Sequence, residues 1–324
     1  MRESSATVKN EDTNDEEAAI LKRERAIAFQ RQHWHTTLIP NLRSGKPPSS
    51  RDIQHALIHG GVPASIRGEV WPLLVGNPLH ITETLFDICL ARDPDATRGQ
   101  EASRNLIPTD VGRTLPELAF FQPGGTLFDS LTDVLRAFVR FRPDVGYVQG
   151  MSLIAAVFLL YSPAWQAFML MSSIMHDGHL ITFLRLDPGF VSHYMGFFDR
   201  TLKIAAPNTH SRLHRAGVPS DLFLTRWLIS MFVQAVPLDT ACRLWDVMLG
   251  RPDIMNLTVA AIALLIAADI PEDPDEAMAR LSRRLDVDPG QLVTLFAKTV
   301  PHTIGPGRMK TLRGMLGKIV EAYT

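Results

Sequence analysis

An all-α fold is what this sequence predicts, and three observations predict it. Apolar residues recur at helical spacing, most clearly where Leu131, Val134, Leu135, Phe138 and Phe141 mark one face of a segment over 129–141. The run over 151–161 is apolar on every side, as a helix enclosed in a core is. Proline and glycine fall in short connections between such segments, and no stretch sustains the alternation a strand needs. With 324 residues, 46% hydrophobic and 21% charged, the chain can bury a large core in one or two closely packed lobes. No repeat of fixed period is present, which argues against a regular solenoid.

In chain order, residues 1–13 are polar and poor in hydrophobic groups, the composition of a disordered tail. A helix is expected to begin near Asn14 or Asp15 and run to about His33, with Glu16 and Glu17 in a first turn where acids favour the dipole. Residues 40–50 read as a linker, so that 14–50 is an N-terminal helix and linker and 51–324 the folded domain. Ser50 suits the N-cap of a short helix ending at Gly60-Gly61. Pro63 suits a helix start, Trp71 is large enough to anchor a core, and Gly76-Asn77-Pro78 is a stop. An amphipathic helix over 81–92 and a polar loop over 93–104 follow.

Pro108, Gly112 and Pro116 bracket Arg113 and place it on or beside a loop. Asp110 lies three residues earlier, close enough to hold the guanidinium. Residues 142–146 turn the chain into Tyr147-Val148-Gln149-Gly150, at the head of the buried run. Further helices are expected over 164–175 and 221–236, with Pro237 as the interruption, and over 240–249 with Asp239 as its cap. The remaining ones fall at 256–270, 275–285, 290–299 and 307–323.

Several function classes recede on composition and motif. A net charge of -1 argues against a general nucleic-acid binder. Cys89 and Cys242 lie in apolar helical contexts and read as buried thiols of a reducing compartment. The N-terminus lacks the apolar run of a secretory signal, and the longest apolar runs fall short of the ~20 residues of a transmembrane helix. A soluble, cytoplasmic protein is expected. No P-loop and no CxxC, HExxH or GxSxG pattern occurs, so no nucleotide site or nucleophile of its own is expected. His176-Asp177-Gly178-His179 would suit a metal phosphohydrolase only with further His and Asp ligands on neighbouring helices, and no matching set is identified. No metal site is expected.

Three motifs, in order along the chain, carry a resemblance. Ile107, Asp110 and Arg113 fit I-x-x-D-x-x-R; Tyr147, Gln149 and Gly150 fit Y-x-Q-G; upstream, Arg67, Gly68, Val70 and Trp71 read R-G-x-V-W. Together they resemble the signature motifs of the TBC-domain family of Rab GTPase-activating proteins, a similarity that extends from about residue 34 to the C-terminus. Arg243, Trp245 and Asp246 resemble a packing signature of the C-terminal half of such domains. The resemblance implies a TBC-type all-α fold of many helices in two closely packed helical lobes, which accelerates GTP hydrolysis by a Rab-type GTPase in its GTP-bound form and so regulates vesicle trafficking. GTP and Mg are then carried by the partner, and the chain needs no cofactor.

By the same resemblance Arg113 is an arginine finger and Gln149 a glutamine finger, both supplied in trans. Arginine is always protonated and presents a planar array of donors to the charge that develops on phosphate oxygens. A glutamine amide can hold the attacking water with its carbonyl and contact the γ-phosphate with its amine. Asp110, Tyr147, Gly150, Ile107, Arg67 and Trp71 are carried over as supporting or Rab-contacting residues. For Arg67 the expected contact is an ion pair to the loop that holds Asp110. A Rab-binding effector or scaffold without activating function is the alternative, disfavoured because both fingers are present. Recruitment to endomembranes would be peripheral, through partners.

Overall fold

Aspartate followed by proline starts three of the helices. In Asp187-Pro188, Asp273-Pro274 and Asp288-Pro289 the carboxylate accepts from the amide three residues on, at 2.9 Å, 2.9 Å and 2.6 Å. Proline then takes the first helical turn, where its missing N–H leaves no helical bond unmade. The computed structural model describes residues 4–91, 101–176, 178–185 and 187–323, and no strand occurs among them.

The N-terminal group runs α1 (Ser4–His33), α2 (Ile39–Arg43), α3 (Arg51–His59), α4 (Arg67–Val75) and α5 (Glu83–Ala91). It continues through α6 (Glu101–Val111), α7 (Phe128–Phe141), α8 (Met151–Leu159) and α9 (Ala164–Ile174). The C-terminal group runs α10 (Gly178–Leu184), α11 (Pro188–Ala205), α12 (Pro207–Arg215), α13 (Asp221–Ile229) and α14 (Leu238–Leu249). It closes with α15 (Asn256–Ala268), α16 (Pro274–Leu281), α17 (Pro289–Thr294), α18 (Val300–Ile304) and α19 (Pro306–Glu321).

Helix α7 buries Leu131, Val134, Leu135 and Phe138, the face its spacing predicts, against α5, α6, α8 and α9. Every residue of α8 is buried. α14 crosses between the two groups and packs on α3, α4 and α17. The buried apolar side chains form one cluster from Trp34 to Val320, so the groups share a single core. Cys89 and Cys242 are both buried and unbridged. Among the described residues no helix is long and apolar enough to cross a membrane.

The core is tied by one buried carboxylate. Asp246 of α14 is fully buried. It accepts hydrogen bonds from Arg67 Nε (3.2 Å), Arg67 Nη2 (3.3 Å), the Trp71 indole (2.9 Å) and the Val62 amide (3.0 Å). Arg67 Nη1 reaches the Tyr161 hydroxyl at 3.0 Å. Burial opposes the charge on Arg67, but the Asp246 carboxylate outweighs it and raises the guanidinium pKa. Arg67 therefore pairs with Asp246, not with the loop of Asp110 as the sequence suggests, because α14 lies directly against α4. Trp71→Phe keeps most of the ring packing but removes one donor to this charged acceptor. It is expected to lower stability by about 1.5–3 kcal/mol in denaturant unfolding.

Several boundaries differ from expectation. Residues 4–13, expected to be a disordered tail, belong to α1, which starts well before Asn14; no glycine or proline precedes Pro40 to break it. α2 continues the run of α1 through a π-helical stretch, Trp34–Leu38, and carries it past Pro40 to Arg43, into the expected linker. Pro108 lies inside α6 instead of ending a helix. α6 also takes in 101–104 of the expected polar loop, whose stretch 93–100 lies outside the described residues. α13 stops at Ile229, since Met231 and Phe232 adopt φ of 45° and 70°. That turn is held by the Phe232 amide on the Trp227 carbonyl (2.7 Å) and the Trp245 indole on the Met231 carbonyl (2.8 Å). α14 begins at Leu238 on the Pro237 cap, with Asp239 inside its first turn and not capping it. Helices α10, α11 and α12 lie where the sequence placed none.

Candidate functional site

The end of α6 presents a charge from a buried base. Beyond Val111 the Gly112 amide bonds the Pro108 carbonyl (3.1 Å) and the Arg113 amide the Asp110 carbonyl (3.2 Å), closing a tight turn. Asp110 is buried, whereas the Arg113 side chain is 55% exposed. Arg113 Nη2 forms an ion pair with Asp110 Oδ1. The other carboxylate oxygen, Oδ2, accepts from the Tyr147 hydroxyl at 2.7 Å. Burial and then the neighbouring carboxylate push the Tyr147 phenol well above its ordinary pKa, so it stays protonated and donates. One carboxylate is thus shared by an exposed guanidinium and by the residue two positions before Gln149.

A second link runs parallel to the first. The Thr114 hydroxyl donates within its own turn to the Asp110 carbonyl (2.6 Å) and also lies 2.8 Å from Ser152 Oγ on α8. Gly150 opens α8 at φ 106°, a conformation that favours glycine, and an ideal Cβ there would lie 3.4 Å from the Ile229 side chain. Gln149 itself is exposed, and no side-chain cap closes the start of α8. The turn leading into Tyr147 is braced as well. Arg142 grips Asp144 with two bonds (2.9 and 2.8 Å), and Arg185 adds a third at 3.0 Å. Those partners, Arg142 foremost, pull the Asp144 carboxyl down to about 2.

The structure brings Asp110, Arg113, Tyr147, Gln149 and Gly150 to one junction between α6 and α8. Ile107 is buried in the core beneath it. Arg67 and Trp71 are not part of this junction; both are engaged at Asp246. Sequence reasoning missed Thr114, Ser152 and Ile229. Their only signals were a hydroxyl directly after Arg113 and a serine in an otherwise apolar run. Of the histidine cluster, Asp177 lies outside the described residues, and among the described residues no three His, Cys, Asp or Glu side chains could hold a metal. Chemically the junction offers a permanent cation and a neutral amide, both facing outward from a buried and hydrogen-bonded frame.

Comparison with known proteins is consistent across sequence and structure. The family model of the Rab-GTPase-TBC domain matches residues 64–269. TBC1 domain family member 14 of Homo sapiens is 36% identical over 233 residues, covering 66% of this chain and 33% of that protein. TBC1 domain family member 12 of Xenopus tropicalis is 34% identical over 246 residues, covering 70% of this chain and 36% of that protein. The chain therefore spans about a third of the length of these curated relatives. Its fold resembles the crystal structure of the Chlamydomonas flagellar RabGAP TBC domain, with a TM-score of 0.65 at 22% identity over 84% of this chain and 93% of that one.

Proposed function

The chain belongs to the Rab-GTPase-TBC family, and from that premise we propose that it accelerates GTP hydrolysis by a Rab-type GTPase in its GTP-bound form. Arg113 and Gln149 are the groups it lends. The observation that carries this reading is the contrast at the α6–α8 junction: both side chains are exposed, while Asp110, Tyr147 and Gly150 beneath them are buried. A side chain whose support is already fixed loses little freedom when a partner docks, so its geometry is set before the reaction.

Each residue then has a task. Asp110 holds the Arg113 guanidinium from one side and leaves its remaining donors for phosphate oxygens. Tyr147 occupies the far carboxylate oxygen and keeps Asp110 from rotating away. Gly150 lets the chain turn sharply, so that the Gln149 amide projects toward the partner. GTP and Mg reside on the GTPase, and no proton need pass through this chain. Regulation of vesicle trafficking and peripheral recruitment to endomembranes from the cytoplasm would follow from such a partner.

The test is a panel of GTP-loaded Rab proteins assayed for phosphate release with and without the chain. Acceleration of at least one member supports the reading. Binding to GTP-loaded Rabs with no acceleration of any would replace it by the effector or scaffold reading. Within the same assay Tyr147→Phe frees one oxygen of Asp110 and loosens the hold on Arg113. Acceleration should fall by roughly tenfold to a hundredfold, the scale of an ångström-sized misplacement.

A further inference from the structure

We propose that Leu106 and Phe120 form an apolar docking surface, on either side of Arg113 in the chain, that seats the GTPase against the arginine. This rests on the chain being a Rab GTPase activator. Single exposed apolar residues are ordinary on a protein surface; the placement and mounting of these two are not. Leu106 is 47% exposed on α6, about two helical turns before Arg113. Phe120 is 45% exposed in the loop that follows Arg113. That loop folds back onto the arginine's own turn, because an ideal Cβ on Gly112 would lie 3.7 Å from the Pro123 ring.

The backbone under Phe120 is fixed at several points. Phe121 beside it is fully buried, so one phenylalanine of the pair anchors the loop while the other faces out. The Phe120 carbonyl accepts from the Leu127 amide at 3.0 Å. Gly125 passes so close beneath that an ideal Cβ would fall 2.4 Å from the same oxygen. Ala119 adopts φ 58°, a conformation an L-residue keeps only when its surroundings enforce it. Glu117 closes the loop from outside through a 2.6 Å ion pair with Arg284.

An aromatic side chain on a pinned backbone has the character of an interface anchor: large contact area and little ordering left to lose. The occupant that chemistry calls for is a surface carrying phosphate beside apolar side chains. A GTPase with GTP in its open cleft presents both.

The experiment uses whichever GTP-loaded Rab the wild-type chain accelerates in the panel, under single-turnover conditions at increasing chain concentration. Leu106→Ala with Phe120→Ala should raise the half-saturating concentration about tenfold or more and leave the rate at saturation within about twofold. Phe120→Leu alone should restore part of the affinity. Met315→Ala, on the exposed side of α19 and packed with α10, α11 and α18, should change neither parameter. Melting temperature should not move in any variant, since all three side chains are substantially exposed. An unchanged half-saturating concentration in the double variant overturns the docking surface alone. So does a lowered saturating rate with unchanged half-saturation, which would place these residues in the chemical step. A wild-type chain that accelerates no Rab overturns the activator reading, and the docking surface with it.

Discussion

Arg113→Ala is expected to abolish acceleration of GTP hydrolysis while leaving the helical fold and the binding of GTP-loaded Rab largely intact. Arginine fingers contribute ~10³ to 10⁵ in rate, or roughly 4–7 kcal/mol of barrier. The fold should persist at a lower melting temperature, because buried Asp110 keeps its bond from Tyr147 but loses its cationic partner. Arg113→Lys should restore little, since an ammonium cannot make the planar contact to several oxygens while also remaining on Asp110. Single-turnover phosphate release at saturating chain concentration is the measurement. A rate for Arg113→Ala within about threefold of wild type, far below the effect of a finger, would remove Arg113 from the mechanism.

The features of the fold and site that are legible in the sequence are those carried by short-range pattern. Leu131 to Phe138 gave their helix and its buried face because helical spacing is a local property. Asp110 and Arg113 were paired correctly for the same reason, being three residues apart on one turn. Arg67 was not, since its partner Asp246 lies 179 residues away and only tertiary packing selects it over Asp110. Tyr147 was singled out by its motif, yet its bond to Asp110 spans 37 residues and no pattern displays it. Proline is an ambiguous signal in both directions: Pro108 lies inside α6, and Pro188 and Pro207 start α11 and α12. The break after Ile229 was hidden because Met231 and Phe232 are apolar residues at helical spacing. Their left-handed turn is imposed by Trp227 and Trp245.

The second large effect is expected at Gln149. Gln149→Ala should lose about 10²–10³ of the acceleration, the scale on which a single positioned donor acts. Gln149→Asn should fail as well, because it keeps the amide but falls one methylene short of the place where water must be held. A capping role would predict a lower melting temperature instead, but α8 is capped at Gly150 with no side-chain bond, so stability should stay unchanged.

A Rab deprived of its own glutamine decides whether both catalytic groups come from this chain. A Rab whose own switch glutamine is replaced by alanine is loaded with GTP, and single-turnover hydrolysis is followed with the wild-type chain and with Gln149→Ala. If both groups come from this chain, the wild-type chain still stimulates the altered Rab and Gln149→Ala does not stimulate even the unaltered one. Failure of the wild-type chain on the altered Rab, together with normal stimulation of the unaltered Rab by Gln149→Ala, would show that the glutamine is the GTPase's own.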